Sequence, residues 1–387
     1  MNEENFEDSL VQKEPPRIET DSPMFHGTGG EFFGIWIINI IFSLLTLGIY
    51  TAWAKVRVRR YFAVMTSFRG ERFDYHASAW PILKGRIIAF LLLSIYVVAG
   101  QFSPFLAVVA LVLLMLIFPF LVLKSFQFNA NNTSYRNIRF KFVMPPKSQW
   151  TSYAIAILPI LLTMITSNIL VPASVLKSKE ALQNIPVTFY LLMAFSFFYS
   201  VLYFGPFFMN WLYSNLYNNL YFGNVRVSIN SSMKSVFKKI LLPYFGLFFV
   251  LIVAIFASSF LATFLNRYLL LIALPIIYIG FLVLSLILPY LIQMYIWNNL
   301  ESSVGSTSCD LPLKSYILKS IGLTLLMGIT LGFAYPWVRI SFLRFFYSHR
   351  HFALKSLDEV SQVDTTSIGA TAEEVGDAFD FDFDIGL

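Results

Sequence analysis

Charged and apolar positions separate along this chain on the scale of whole helices. Stretches without Asp, Glu, Lys, Arg or His cover 32–54, 87–123, 150–176, 181–225, 240–266, 268–300 and 320–338. About 20 apolar residues, rising about 1.5 Å each, cross a bilayer as a helix. The stretch 87–123 is long enough for two short spans divided at Gly100-Gln101-Phe102-Ser103-Pro104, a turn sequence. Trimmed at polar ends such as Asn210 and Asn215, the pattern predicts eight apolar helices, near 32–51, 85–100, 104–123, 152–172, 187–210, 240–264, 269–295 and 318–336. The fold class this implies is an all-α polytopic membrane protein.

The connections carry a second pattern. Thr66-Ser67-Phe68-Arg69-Gly70-Glu71-Arg72-Phe73-Asp74-Tyr75 lies on Thr133-Ser134-Tyr135-Arg136-Asn137-Ile138-Arg139-Phe140-Lys141-Phe142 without a gap. Asn131-Asn132 through Phe142 lies on Asn218-Asn219 through Ile229, and Asn298-Asn299 begins a degenerate fourth copy. Aromatic or β-branched residues alternate with polar ones around Arg-Gly, Arg-Asn or Gly-Asn. Gly and Asn tolerate the positive φ of a tight turn, so each copy predicts a short β-hairpin. The expected architecture is internal repeats, each a hairpin followed by a helix pair, all in one orientation. The two ends of the helical region also share a pattern. Thr46-Leu47-Gly48 leads through Trp53 into Lys55, Arg57, Arg59 and Arg60, and Thr330-Leu331-Gly332 leads through Trp337 into Arg339 and Arg344.

Lys and Arg set the expected sidedness. Residues 55–86, 124–147, 226–239 and 314–319 hold eight, five, four and two of them, while the alternate connections hold Lys177, Lys179 and Arg267. Positive charge marks the cytoplasmic side, which places the hairpins in cytoplasmic loops. Strict alternation of eight spans would put both tails outside. If 32–65 and 320–352 each bend at Leu-Gly and return, both tails are cytoplasmic and the partition becomes 25 to 3. That second arrangement is the expected one.

Composition agrees with a membrane protein. Charged residues are 13% of the 387, against roughly 25% in soluble domains. The net charge of +6 sits beside apolar spans, so anionic lipid rather than nucleic acid is its expected partner. Residues 1–24 are expected to be a disordered acidic tail without the apolar core of a secretory signal. Residues 25–352 form the multi-pass domain, and 353–387 an acidic tail in which Phe379, Phe381 and Phe383 alternate with Asp. The tail reads as a solubilising or docking segment. The one cysteine, Cys309, excludes an internal disulfide and a multi-cysteine metal site.

No catalytic constellation is evident, and no cofactor or metal site is expected. The apolar spans hold no ionisable side chain, the feature that marks ion- or proton-coupled carriers. Their polar groups are Asn39, Ser43, Thr46, Thr163, Thr166, Ser167 and Asn168, of the kind that hydrogen-bond between helices. Asp74 and His76 alternate on a predicted strand and share a face, which could orient a general base. His26 is a further candidate, and His349-Arg350-His351 lies among basic residues without an acidic partner, so a metal there would need a remote carboxylate. The basic segments give the best-supported reading. Lys55 and Arg59 are four apart and Arg57 and Arg60 three apart, so a helix presents two adjacent basic rows. Trp53 and Trp337 suit headgroup depth. Plain topogenic anchoring is the alternative for these residues.

Phe25-His26-Gly27…Gly30-Glu31, Thr46-Leu47-Gly48-Ile49-Tyr50, Trp53-Ala54-Lys55-Val56-Arg57, Arg59-Arg60-Tyr61, Phe73-Asp74-Tyr75-His76 and the ending Asp380 to Leu387 resemble the YjgN family of bacterial inner-membrane proteins. The resemblance covers most of the chain and is most specific in its first hundred residues. It implies a multi-pass protein of a bacterial inner membrane. It brings no activity, since the family has none assigned.

The expected role is therefore non-enzymatic: lipid or amphiphile handling, or membrane scaffolding. Trp53, Lys55, Arg57, Arg59, Arg60, Trp337, Arg339 and Arg344 would contact lipid headgroups, anionic phospholipid among them. A homo-oligomer is compatible with this reading. The alternatives are a facilitator-type transporter and a membrane-embedded enzyme using Asp74 and His76.

Overall fold

The computed structural model describes residues 19–170, 186–264, 269–355 and 360. Residues 1–18, 356–359 and 361–387 of the expected acidic tails lie outside the described residues, as do Lys177, Lys179 and Arg267. The chain is mostly helical, but a β-sheet is also present, so it is not all-α.

Strands β1 (Glu19–Asp21) and β2 (Met24–Phe25) come first, within the stretch expected as tail. Helices α1 (Gly29–Leu45) and α2 (Thr51–Val64) follow. Then β3 (Thr66–Phe68) and β4 (Glu71–Tyr75) lead into α3 (Ala79–Phe102) and α4 (Pro104–Asn131). Next, β5 (Thr133–Tyr135) and β6 (Ile138–Phe142) lead into α5 (Lys147–Leu170), α6 (Val187–Tyr199) and α7 (Gly205–Asn218). A π turn, Ser200–Phe204, fuses α6 to α7. Strands β7 (Leu220–Phe222) and β8 (Val225–Ile229) lead into α8 (Met233–Val236), α9 (Leu242–Phe264) and α10 (Leu269–Trp297). Finally β9 (Leu300–Ser302) and β10 (Gly305–Cys309) lead into α11 (Leu313–Ile329), α12 (Tyr335–Tyr347) and β11 (Arg350–Leu354).

The strands merge into one antiparallel sheet of order β1-β11-β10-β9-β8-β7-β6-β5-β4-β3-β2. Hairpin neighbours pair locally, while the remaining pairs join strands on either side of a helical excursion, as in Phe73↔Tyr135, Phe140↔Phe222 and Thr307↔Phe352. Every helical excursion thus leaves the sheet and returns to it. The terminal strands β1 and β2 are separated in sequence only by Ser22 and Pro23, so the chain itself joins the two edges. Phe68 of β3 meets Phe352 of β11 across this seam at 5.0 Å between ring centroids. Arg69 Nε donates to Asp21 Oδ2 at 2.5 Å there. Closure leaves little exposed edge to template another strand. Alternate strand residues point inward, and Phe68, Phe73, Tyr135 and Leu354 form a buried cluster inside the ring.

Paired asparagines explain where the last three of the four hairpins start. Asn131, Asn218 and Asn298 accept the backbone N–H of Phe142, Ile229 and Cys309 at 2.9, 2.8 and 2.9 Å. The following Asn132, Asn219 and Asn299 bond back to the carbonyls of Phe128, Asn215 and Tyr295. One side chain ends the helix while its neighbour ties the far strand to the helix terminus.

Among the described residues, six helical segments are long and apolar enough to cross a membrane: Ala79–Phe102, Phe105–Asn131, Lys147–Ser167, Val187–Asn218, Met233–Phe260 and Ile277–Trp297. The first and last of the eight expected helices are the exceptions. Helices α1 and α11 have 17 residues each, about 25 Å of rise against a hydrocarbon thickness of about 30 Å. Both stop at the Thr-Leu-Gly bend. Leu47 and Gly48 have φ of 51° and 92°, and Leu331 and Gly332 have 49° and 90°. Gly48 and Gly332 donate to the carbonyls of Ser43 and Met327, closing a helix C-terminus in the way that positive φ permits. Thr46 and Thr330 finish both bends. Each hydroxyl donates to a carbonyl four residues back and accepts from an N–H four residues on.

Candidate functional site

Helices α1, α2 and α12 build the site from an aromatic base. Thr28 caps α1 reciprocally with Glu31, a capping box. Phe32 stacks on Tyr61 at 5.6 Å and meets Phe62 edge-on at 4.9 Å. The Tyr61 hydroxyl faces Glu31 Oε2 at 3.1 Å and the Thr28 carbonyl at 3.2 Å. The Thr28 N–H and then the Tyr61 hydroxyl hold the Glu31 carboxyl below its usual value. Burial, with Glu31 second, pushes the Tyr61 phenol up to about 12. A side chain at Gly29 would overlap the Trp337 indole, so glycine lets α12 approach the start of α1.

Between these helices, α3 and α4 lies a cavity of about 640 Å³. Lys55 and Arg59 of α2, Arg86 of α3 and Arg339 of α12 line it, and no Asp or Glu is among its described lining residues. Phe32, Trp36, Phe62 and Leu343 contribute apolar wall. Arg59 Nη1 donates to Asn129 Oδ1 and, at 3.3 Å, to the Tyr75 hydroxyl. Arg86 Nη1 donates to Thr51 Oγ1. Asn39 is also in the wall, 6% exposed, and neither its amide nitrogen nor its oxygen has a hydrogen-bond partner among the described residues. Leaving such a group buried and unmatched costs about 1–3 kcal/mol.

The basic residues named from the sequence divide between two faces of α2. Lys55 and Arg59 share the row that lines the cavity, while Arg57 and Arg60 are exposed. Arg60 Nε donates to the Tyr75 carbonyl at 3.1 Å. Arg339 joins the cavity and sits over the Phe62 ring at 5.7 Å. Arg344 is exposed and donates to the Gly27 carbonyl at 2.8 Å. Neither tryptophan lines the cavity. Trp53 meets Trp80 edge-on at 5.4 Å, and Trp337 lies 5.2 Å from Phe33.

A family model described as bacterial protein of unknown function (DUF898) matches residues 22–378. The chain belongs to this family. It is similar to inner membrane protein YjgN of Escherichia coli K12, 28% identical over 148 residues. It is also similar to inner membrane protein YjgN of Salmonella typhimurium LT2, 32% identical over 143 residues. These matches cover 38% and 36% of the chain, and the chain spans 37% and 35% of those relatives' lengths. No solved structure matches. The resemblance to the YjgN family is borne out, and the protein is a multi-pass inner-membrane protein.

Within this family member, the polar residues outside the cavity have mainly structural partners. His76 Nε2 pairs with Ser134 Oγ at 2.8 Å and its Nδ1 lies 3.7 Å from Asp74 Oδ2. That pair does not line the cavity. His26 pairs with Ser67 at 2.7 Å and His351 with Ser22 at 2.9 Å. Cys309 is buried, which pushes its thiol up. Sequence reasoning missed Arg86, which belongs to the cavity and lies inside the spanning helix α3, against the expectation that the spans hold no ionisable side chain, and passed over Asn39 as an ordinary interhelical polar group. The signal available for Asn39 was its isolation in an otherwise apolar run. Arg86 had none, because only the packing of α3 on α2 brings it in.

Proposed function

We propose that this protein binds and handles an anionic amphiphile of the membrane, with no bond made or broken. The observation that carries the reading is the cavity where Lys55, Arg59, Arg86 and Arg339 meet an apolar wall. An anion there gains charge-assisted hydrogen bonds, strong in a site of low dielectric. A chain attached to it would lie against aromatic and aliphatic side chains. Trp53, Arg57, Arg60, Trp337 and Arg344 would anchor the surrounding hairpins at headgroup depth.

The sheet and both chain ends are placed on the cytoplasmic side by the same reading. It is supported by the excess of Lys and Arg near the sheet and by the return of each helical excursion to it. The hairpins α1–α2 and α11–α12 then dip into the bilayer without crossing. Their exposed apolar tips, Leu47 and Leu331, fit that placement. The recurring hairpin-plus-helices order is read as duplication of one unit.

Native mass spectrometry of the protein released from its own membrane tests the function. The wild type is expected to retain a lipid of discrete mass that an Arg59→Gln/Arg339→Gln variant loses. The same weakly held bulk lipid in both would remove the proposal. For sidedness, a cysteine at Ser22 in a Cys309→Ser background is expected to resist an impermeant maleimide in intact cells and to react after permeabilisation.

A further inference from the structure

We propose that the interior of the sheet ring is a second binding site, for one molecule of an uncharged lipid. Its ligand is a hydrocarbon chain whose head offers an ester, ketone or ether oxygen and carries no charge. The site does not depend on the anionic-amphiphile reading, although Phe73, Phe140 and Leu220 contribute to the walls of both cavities.

A cavity of about 460 Å³ lies between the inner face of the ring and the sheet-proximal ends of α4, α7 and α10. Small-molecule sites measure about 300–1,000 Å³, so one chain fits. The register turns aromatic side chains into this space. Phe140 lies opposite Phe222 with ring centroids 4.9 Å apart, and Phe352 lies opposite Thr307 and 5.4 Å from the Trp297 ring. Phe140, Phe222, Val227 and Phe352 line the cavity and are only half-buried. Walls this apolar hold water poorly and receive apolar guests.

The polar groups of the wall select the head. No Lys, Arg or His is among the described lining residues, and Glu301, the carboxylate there, is exposed on β9. A charge of either sign would enter without a buried partner, which is costly. Tyr217 and Trp297 lie in the last turns of α7 and α10, helix ends whose partial negative charge further disfavours an anion. The hydroxyls of Thr66, Tyr135, Ser302 and Thr307 already donate to the carbonyls of Phe62, Phe68, Gly305 and Trp297. Gln293 Oε1 accepts from Arg350. By contrast, the hydroxyls of Tyr213 and Tyr217 and the amide N–H₂ of Gln293 make no hydrogen bond among the described residues, and all three side chains line the cavity. Tyr213 and Tyr217 are one turn apart on α7, so they share a face. What this wall still has to offer is donors, and a neutral oxygen acceptor satisfies them without bringing in a charge.

Three probes with one twelve-carbon chain and one mid-chain diazirine separate the possibilities: a methyl ester, the free carboxylate at pH 8, and the hydrocarbon without a head. Each is loaded at equal, subsaturating amounts into dioleoylphosphatidylcholine nanodiscs holding the full-length protein. Labelled residues are mapped by peptide mass spectrometry after illumination. The ester is expected to label the ring interior, at Phe140, Phe222 or Phe352, at least about tenfold more than the carboxylate. It should exceed the hydrocarbon by about tenfold, the worth of one hydrogen bond. Labelling confined to the lipid-facing helix surfaces would overturn the site. Equal labelling of the interior by ester and carboxylate would overturn the choice of a neutral ligand.

Val227→Trp places an indole in the cavity and is expected to abolish interior labelling without lowering the unfolding temperature. Persistent interior labelling in that variant would overturn the site. Tyr217→Phe removes a single oxygen and decides the matter where Val227→Trp does not fold. It should lower ester labelling about tenfold while leaving hydrocarbon labelling unchanged. Equal loss of both, or of neither, would overturn recognition of the head by α7. Arg59→Gln/Arg339→Gln should leave ester labelling intact even where it releases the lipid of the basic cavity. Loss of ester labelling in that variant would show one amphiphile spanning both cavities and overturn the separate site.

Discussion

Arg350 shows how much one buried charge depends on the shape of its group. It is 3% exposed, its guanidinium lies 4.5 Å from the Trp297 ring and 5.1 Å from Phe346, and Nη2 donates to Gln293 at 2.9 Å. A planar cation can stack on aromatic faces while a planar fork donates sideways, and an ammonium cannot do both. Arg350→Lys is therefore expected to cost about 1–2 kcal/mol, read as a fall in apparent unfolding temperature in detergent. An unchanged temperature would mean that charge alone suffices. Glu31 supplies a pH dependence. Its folded carboxyl titrates below its ordinary value of 4.5, so the unfolded chain takes up the proton first as pH falls. Its contribution is therefore fully present above about pH 4.5 and is lost as pH falls through the lower folded value. Glu31→Gln should flatten this part of the stability profile between pH 6 and 3. If the variant keeps the wild-type slope, the Thr28–Glu31–Tyr61 contact does not matter to stability.

The two bends make the corresponding case at the level of helices. Gly48 and Gly332 hold φ of 92° and 90°, where a Cβ meets backbone oxygen. Nothing lies within 4 Å of a Cβ built at either glycine, so the penalty at Gly332→Ala is conformational alone, about 1–2 kcal/mol. Thermal unfolding of Gly332→Ala beside Gly322→Ala tests this. The second change lies inside α11, also in open space, and is expected to be neutral or slightly stabilising. Equal behaviour of the two would show that the bend relaxes freely. These bends were legible in the sequence because Thr-Leu-Gly occurs twice before a Trp. The hairpin positions were legible too, since Asn-Asn pairs and Arg-Gly or Arg-Asn turns fix local backbone. What the sequence did not show is that all hairpins join one sheet. Phe73 and Tyr135 pair across an excursion of two helices, and three-residue strands carry too little alternation to announce such partners. The same limit hid β1, whose Glu-Thr-Asp has the composition of a tail. It also hid the cavity. Lys55 and Arg59 declared a shared face through helical spacing, but Arg86 and Arg339 join them only through packing.

At the scale of the molecule, the seam between the first and last strands decides whether the sheet is a ring or a curled ribbon. Strand β1 pairs with β11, β2 pairs with β3, and only Ser22-Pro23 separates them. Proline suits the break because it has no N–H to give to either partner. Arg69, in the turn after β3, bridges the seam by donating to Asp21 Oδ2 and to the Leu354 carbonyl, the latter at 3.3 Å. The closed arrangement holds the two hairpins α1–α2 and α11–α12 side by side, which is what brings Arg339 to the same cavity as Lys55. Closure is thus a condition for the site as well as for the fold. A double-mutant cycle on Asp21→Ala and Arg69→Ala measures it. The pair is partly exposed, with side chains 36% and 19% accessible, so its coupling is expected at about 0.5–1 kcal/mol rather than the value of a buried pair. Distant, independent sites couple by less than about 0.3–0.5 kcal/mol. A coupling within that limit would indicate that the edges part in solution. It would also predict that Arg69→Ala leaves amphiphile retention untouched, whereas a closed ring should lose part of it together with stability.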